Sequence, residues 1–177
     1  MNTTKLAKTC SVTRKIFKGL RIFLYVAIAL FVVASVVMVL PVFKEQTATI
    51  LVNDTLTGSE IAYTRDQVIA KGSWAVSVMA IGSVIMFLCE KILGTVSSES
   101  TPFVAANVKR LKAISILMAC LSVVPSCLAQ IVGLIMGSRS IMLNVELTML
   151  VIALVVWCVA LIFEYGVSLQ EREDETL

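Results

Sequence analysis

The stretch IFLYVAIALFVVASVVMVL, from Ile22 to Leu40, runs nineteen residues without a charge or a proline. A helix needs about 20 mostly apolar residues to cross a bilayer, and hydrocarbon offers no partner for exposed backbone groups, so this run predicts a membrane-spanning helix. Three further uncharged runs follow, Ser73 to Cys89, Ala113 to Gly137 and Leu147 to Phe163. The 177-residue chain is 58% hydrophobic and 15% charged, and its charges fall almost wholly between the four runs. That pattern separates a membrane protein from a greasy soluble domain. It predicts an all-α membrane protein, a four-transmembrane-helix bundle forming one integral membrane domain, with helices at about 22–40, 73–89, 113–137 and 147–163.

Lys15, Lys18 and Arg21 before the first run resemble the charged start of a secretory signal. The run is longer than a usual signal core, however, and no small-x-small cleavage pattern closes it before Pro41, so it is expected to stay as an anchor. Orientation follows from lysine and arginine. Lys5, Lys8, Arg14, Lys15, Lys18 and Arg21 precede the first run with no acid among them, and Lys91, Lys109, Arg110 and Lys112 surround the segment between runs two and three. These ends are expected in the cytoplasm. Both termini and the loop 94–110 then lie inside, with the mixed-charge loop 41–72 and the short turn bearing Arg139 outside, in a multi-pass protein of the cell membrane. The formal net charge of +3 hides an acidic tail, 167–177, with Glu171, Glu173, Asp174 and Glu175 against Arg172.

The five cysteines do not suggest a disulfide framework. Cys10 falls on the cytoplasmic side, and Cys89, Cys120, Cys127 and Cys158 lie within or at the edge of the runs, where free cysteine behaves as a small hydrophobe. The chain has no histidine and no close cysteine pair. Zinc, haem and Cys-His catalysis therefore lack their usual ligands, and no cofactor, metal site or catalytic residue is expected.

Around the first run, Ile16, Phe17 and Leu20 alternate with Arg14, Lys15, Lys18 and Arg21 at helical spacing, which predicts a short basic amphipathic lead lying in the headgroups before the chain turns inward. In the external loop Thr47 to Val52 reads as a strand, Asn53-Asp54 and Gly58 as turns, and Thr64 with Gln67 as a capping box that starts the second helix near Arg65. In the third run Pro125 removes a backbone donor and is expected to bend the helix. Ser122, Ser126 and Gln130, four apart, form one polar stripe, suited to gluing helices together or lining a pocket. Gly133 and Gly137 make a small-xxx-small pair. No carboxylate falls in the middle of a run: Glu90 and Glu164 sit at inner ends, and Glu146 at the outer start of the fourth run, where a contact with Gln130 is open to it.

The segment Thr101-Pro102-Phe103-Val104-Ala105-Ala106-Asn107-Val108-Lys109-Arg110-Leu111-Lys112 and the tail Phe163-x-x-Gly166-x-x-Leu169-x-Glu171-x-x-Asp174-x-Thr176 resemble the DUF2975 family of small prokaryotic four-helix membrane proteins. Members are commonly encoded beside a very small Cro/C1-type helix-turn-helix regulator. The resemblance therefore implies a membrane partner for a transcription factor, and it brings no catalytic residues. Val104 to Ala106 stand where the family's string has a further proline and acid.

The residues themselves give that partner a place. Pro102 suits the first turn of a helix capped by Thr101, so the third helix is expected to begin before the membrane. Lys109, Arg110 and Lys112 on it, and Glu171, Glu173 and Asp174 on the end of the fourth helix, can pair with each other or with a docked protein. The expected function is a non-enzymatic regulatory membrane protein that holds a small helix-turn-helix regulator at the cytoplasmic face, without itself touching nucleic acid. The other reading is a small transporter or channel with a path along Ser122, Pro125, Ser126 and Gln130, near Glu146. A homodimer is compatible with either, because four helices bury a modest core.

Overall fold

The structure, a computed structural model, describes residues 3–39, 50–53, 60–63, 65–99, 103–137 and 145–175. Helix α1 runs Thr3–Val39, strands β1 and β2 run Ile50–Asn53 and Glu60–Tyr63, and helices α2, α3 and α4 run Arg65–Glu99, Ala105–Ile135 and Leu147–Glu175. All four helices are long and apolar enough to cross a membrane. The strands form an antiparallel hairpin, Ile50 opposite Tyr63 and Asn53 opposite Glu60. The first strand overlaps the expected one, whereas the second was not expected; the turn at Asp54 and Gly58 lies outside the described residues, as do Arg139 and the Thr64 cap before α2.

The helices are much longer than the apolar runs that announce them. Helix α1 has 37 residues, about 55 Å at 1.5 Å per residue, against a hydrocarbon core of about 30 Å. A charge ends an apolar run without ending a helix, because lysine, arginine and glutamate are good helix formers. One expectation falls here. Residues 13–21 are not a separate helix that turns into the membrane; they belong to one continuous α1, and Arg14 and Arg21 on it are taken up by helix α2.

The helices alternate in direction and pack in chain order, α1 on α2, α2 on α3 and α3 on α4. No other pair of helices has more than marginal contact among the described residues. The bundle is thus an open row, with α1 and α4 as its edges, and it buries little: among the described residues Ile69, Val108, Ile114, Pro125, Ala153 and Ala160 are the buried apolar side chains, with Ser83, Asn107, Ser115 and Ser122 as polar ones. Hydrocarbon solvates leucine as well as a protein core does, so a membrane helix has no need to hide its apolar faces.

Helix α3 carries the contacts that set the row. It starts after Val104, which is extended and makes no side-chain cap, three residues later than the proline signal suggested; Thr101 and Pro102 lie outside the described residues. It ends at Met136, and Gly137 follows at φ 90°, the left-handed conformation that glycine adopts without penalty after a helix. Gly137 is therefore the stop of α3, while Gly133, its supposed packing partner, is buried.

Helix α4 is held to α3 by hydroxyls. Ser115 Oγ donates to the Ala153 carbonyl at 2.7 Å and Ser122 Oγ to the Glu146 carbonyl at 3.0 Å. The Glu146 N–H donates in return to the Ser122 carbonyl at 3.4 Å. Pro125, fully buried in the same turn, has no N–H to give the Leu121 carbonyl one turn before it in the α3 ladder. The pairing fixes the depth of α4: it begins beside Ser122, halfway along the apolar run of α3.

Candidate functional site

Most of the described charged residues gather at one end of the row, where the N-terminal halves of α1 and α3 meet the C-terminal ends of α2 and α4. Three clasps join neighbouring helices there. Between α1 and α2, Arg21 Nη1 lies 3.0 Å from Glu90 Oε2 and Arg14 Nε 3.8 Å from Glu90 Oε1. The Arg21–Glu90 pair is held by charge, off the line of a hydrogen bond: Arg21 Nε and Glu90 Oε2 are buried without a hydrogen-bond partner. Phe87 lies beneath two cations, with the Arg21 guanidinium 5.1 Å and the Lys91 ammonium 5.4 Å from its ring centre, an attraction to the ring's negative face that strengthens away from water.

Between α2 and α3, Arg110 Nη1 donates to Thr95 Oγ1 at 2.6 Å, to Asn107 Oδ1 at 2.9 Å and to the Lys91 carbonyl at 3.2 Å. The guanidinium thus adds a donor to the Lys91 carbonyl, two turns before the end of α2, which also accepts from Thr95 Oγ1. Asn107 beneath it is wholly buried. Between α3 and α4, Lys112 Nζ reaches both Glu164 oxygens at 2.9 Å and lies 5.9 Å from the Trp157 ring centre.

An aromatic contact closes the same end. Phe103, just before α3, meets Phe163 at 5.2 Å between ring centres, tilted by 43°. Its ring lies so near Gly166 that a Cβ there would stand 2.6 Å from Phe103 Cδ1. Gly166→Ala is expected to displace the Phe103 ring and cost about 1–2 kcal/mol, within the usual range for overfilling a packed contact. A lowered unfolding midpoint in detergent, with faster proteolysis ahead of Ala105, would show it; wild-type behaviour of both would refute this role of Gly166.

The residues singled out in the sequence are thus divided. Arg110 is drawn into the α2–α3 clasp and Lys112 into the α3–α4 clasp, while Lys109 and Glu171 are exposed. Glu173 and Asp174 lie on the backbone of α4, and their side chains fall outside the description. Of the polar stripe, Ser122 is buried against α4, and Ser126 and Gln130 are half-buried on α3. Glu146 is exposed, and its backbone meets Ser122, two turns before Gln130.

Sequence reasoning placed Glu90 at the inner end of its run without giving it a partner, and left Asn107 without a role. The signal for the first was present: Arg14 and Arg21, seven apart, share a face of α1, and Glu90 is the acid at the matching end of the next helix. The five cysteines are all free, and among the described residues no three of Cys, Asp or Glu come together as a metal site would require.

Four helices able to cross a membrane, clasped by ion pairs at one end, suggest a multi-pass membrane protein. No family model, no curated protein and no solved structure matches the chain.

Proposed function

We propose that this is a non-enzymatic regulatory protein of the cell membrane, with both termini in the cytoplasm, and that its charged end docks a small soluble regulator. The observation that carries the reading is that all four helices run on past their apolar runs at the same end, into a helical stalk. The lysine and arginine excess there is the mark of a cytoplasmic face. Within the stalk, Arg110 is held by Thr95 and Asn107, Glu90 by Arg14 and Arg21, and Lys112 and Glu164 by each other, which leaves Lys109 and the acidic end of α4 as charges well placed for a partner. The partner's kind, a Cro/C1-type helix-turn-helix protein, comes from the resemblance to DUF2975, and the regulator would be released or altered by a signal from the membrane or beyond it.

A polar path along α3 draws less support, because the Ser122 hydroxyl is already given to the Glu146 carbonyl and so acts as glue between helices.

The test is affinity purification of the tagged protein from its native host in mild detergent. A small helix-turn-helix protein is expected to be retained by the full chain and lost on truncation after Leu169 or with Lys109→Glu. Recovery of the protein alone would overturn the reading, and retention by both variants would move the dock off these residues.

A further inference from the structure

The α1–α2 clasp gathers more positive charge than its one carboxylate can answer. On α1, Arg14, Lys18 and Arg21 are spaced four and three; on α2, Phe87, Glu90, Lys91 and Gly94 recur at helical spacing, so each set lies on one stripe of its helix. The two stripes meet. Arg21 lies against Glu90, and the Arg14 guanidinium lies over Gly94, where a Cβ would stand 3.6 Å from its Cζ. Phe87 draws the Arg21 guanidinium and the Lys91 ammonium to one ring. Helix α1 carries no acid along its whole length, so Arg14, Lys18, Arg21 and Lys91 have Glu90 alone between them. Arg21 and Glu90 form the inner pair, largely buried. The other cations face outward: the Arg14 side chain is 53% exposed and only loosely set against Glu90, at 3.8 Å, and Lys18 and Lys91 are exposed.

This surplus sits at a defined depth. Arg21 is the last residue before the uncharged run of α1, and Glu90 the first after that of α2, so the clasp marks a boundary of the hydrocarbon core. On the hydrocarbon side the same stripes continue as Tyr25 on α1 and Val84 on α2, both exposed. From Lys18 to Tyr25 is about two turns of helix. Over that distance the surface changes from cationic to apolar, the order in which a phospholipid presents its phosphate and then its acyl chains. The dielectric falls at such a boundary, which sharpens the repulsion among like charges, and basic groups there attract anionic headgroups. A zwitterionic lipid brings a cation of its own and leaves the surplus unanswered.

We propose that the α1–α2 clasp is a binding site for an anionic phospholipid, with the phosphate taken by Lys18 and Lys91 beside Arg14 and an acyl chain lying along Tyr25 and Val84. Lysine binds phosphate as a point charge and arginine as a fork, so the site needs a negative headgroup more than a particular one. Lys15 and Lys109 are also exposed near this depth, Lys109 next to the Arg110 that bonds the Lys91 carbonyl, but they lie off the two stripes. The inference rests on the chain spanning a bilayer; it is independent of the regulator and of which face is cytoplasmic.

The test supplies the full chain, in mild detergent, with equal amounts of phosphatidylglycerol and phosphatidylcholine and reads the retained lipid by native mass spectrometry. Wild type is expected to retain phosphatidylglycerol severalfold over phosphatidylcholine, a measurement that stands even if a variant folds poorly. Lys18→Gln with Lys91→Gln should abolish the preference, and Lys18→Arg with Lys91→Arg should keep it. Lys15→Gln with Lys109→Gln, which removes the same charge near the same depth, should leave it intact. No preference in wild type would overturn the proposal and leave the cations to an acidic protein. Equal losses in the two glutamine pairs would overturn it as well, since any basic surface would then serve. Complete displacement of the lipid by inorganic phosphate, but not by sodium chloride of the same ionic strength, would assign the site to a soluble anion instead.

Discussion

Glu90→Gln is expected to loosen α1 from α2 by about 3 kcal/mol, because breaking a largely buried ion pair leaves its partner charge behind without compensation. The side chains of Glu90 and Arg21 are only 12% and 18% exposed, so water cannot easily replace the lost carboxylate. Arg14 and Arg21 would then face each other across a neutral amide, with Lys91 near the same phenyl ring. At about 2–4 °C per kcal/mol for a chain of this size, the unfolding midpoint in detergent should fall by about 6–12 °C. Adding Arg21→Gln should restore part of the loss, as neighbouring groups do when their effects are coupled. An unchanged midpoint in the single variant would mean that the ion pair is not held in solution.

Asn107→Leu is expected to cost about 2–3 kcal/mol by a different route. The side chain is wholly buried and its Oδ1 takes a hydrogen bond from Arg110, so the leucine removes an acceptor from a guanidinium that also holds Thr95 and the Lys91 carbonyl. Thr95→Val alone should cost less, because that site is nearer water and Arg110 keeps its other acceptors. Thermal unfolding of the two variants side by side checks the order; an equal or larger loss at Thr95 would remove Asn107 from the centre of the clasp.

The four spans were legible because bilayer thickness imposes a length on any crossing helix, and the runs at Ile22, Ser73, Ala113 and Leu147 each meet it. Their ends were not legible. Lys15, Lys91 and Glu171 sit in helices although they lie outside the runs, since helix propensity and hydropathy are separate properties of a residue. Pro102 promised a helix start that occurs instead after Val104, a one-turn error of the kind local signals make. The charged clusters at Lys109 to Lys112 and Glu164 were visible, but not that Arg110 would face α2 while Lys112 faces α4. That choice depends on which side of α3 each neighbour occupies, and order around a bundle leaves no local trace in sequence. The open row escaped for the same reason: apolar helices in lipid carry no periodic polar face to say how many neighbours they have.

The start of α4 beside Ser122 has a consequence for the bilayer itself. Ser122 is ten residues beyond Lys112, about 15 Å along α3, which is near the midplane of a core about 30 Å thick. The register that sets Glu146 beside Ser122 and Ala153 beside Ser115 brings Trp157 level with Lys112, so about 15 Å of α4 lies within the core against about 37 Å for the apolar run of α3, and a membrane would meet a low wall on one edge of the protein and a high one at its centre. Lipids along α4 are expected to thin, drawing headgroups and water down to the exposed Glu146 carboxylate, at a cost of a fraction of a kcal/mol per Å of mismatch. The protein should thus be most heat-stable in bilayers of short acyl chains, and a midpoint that rose steadily with chain length would show that α4 is not the edge to which the lipid adapts.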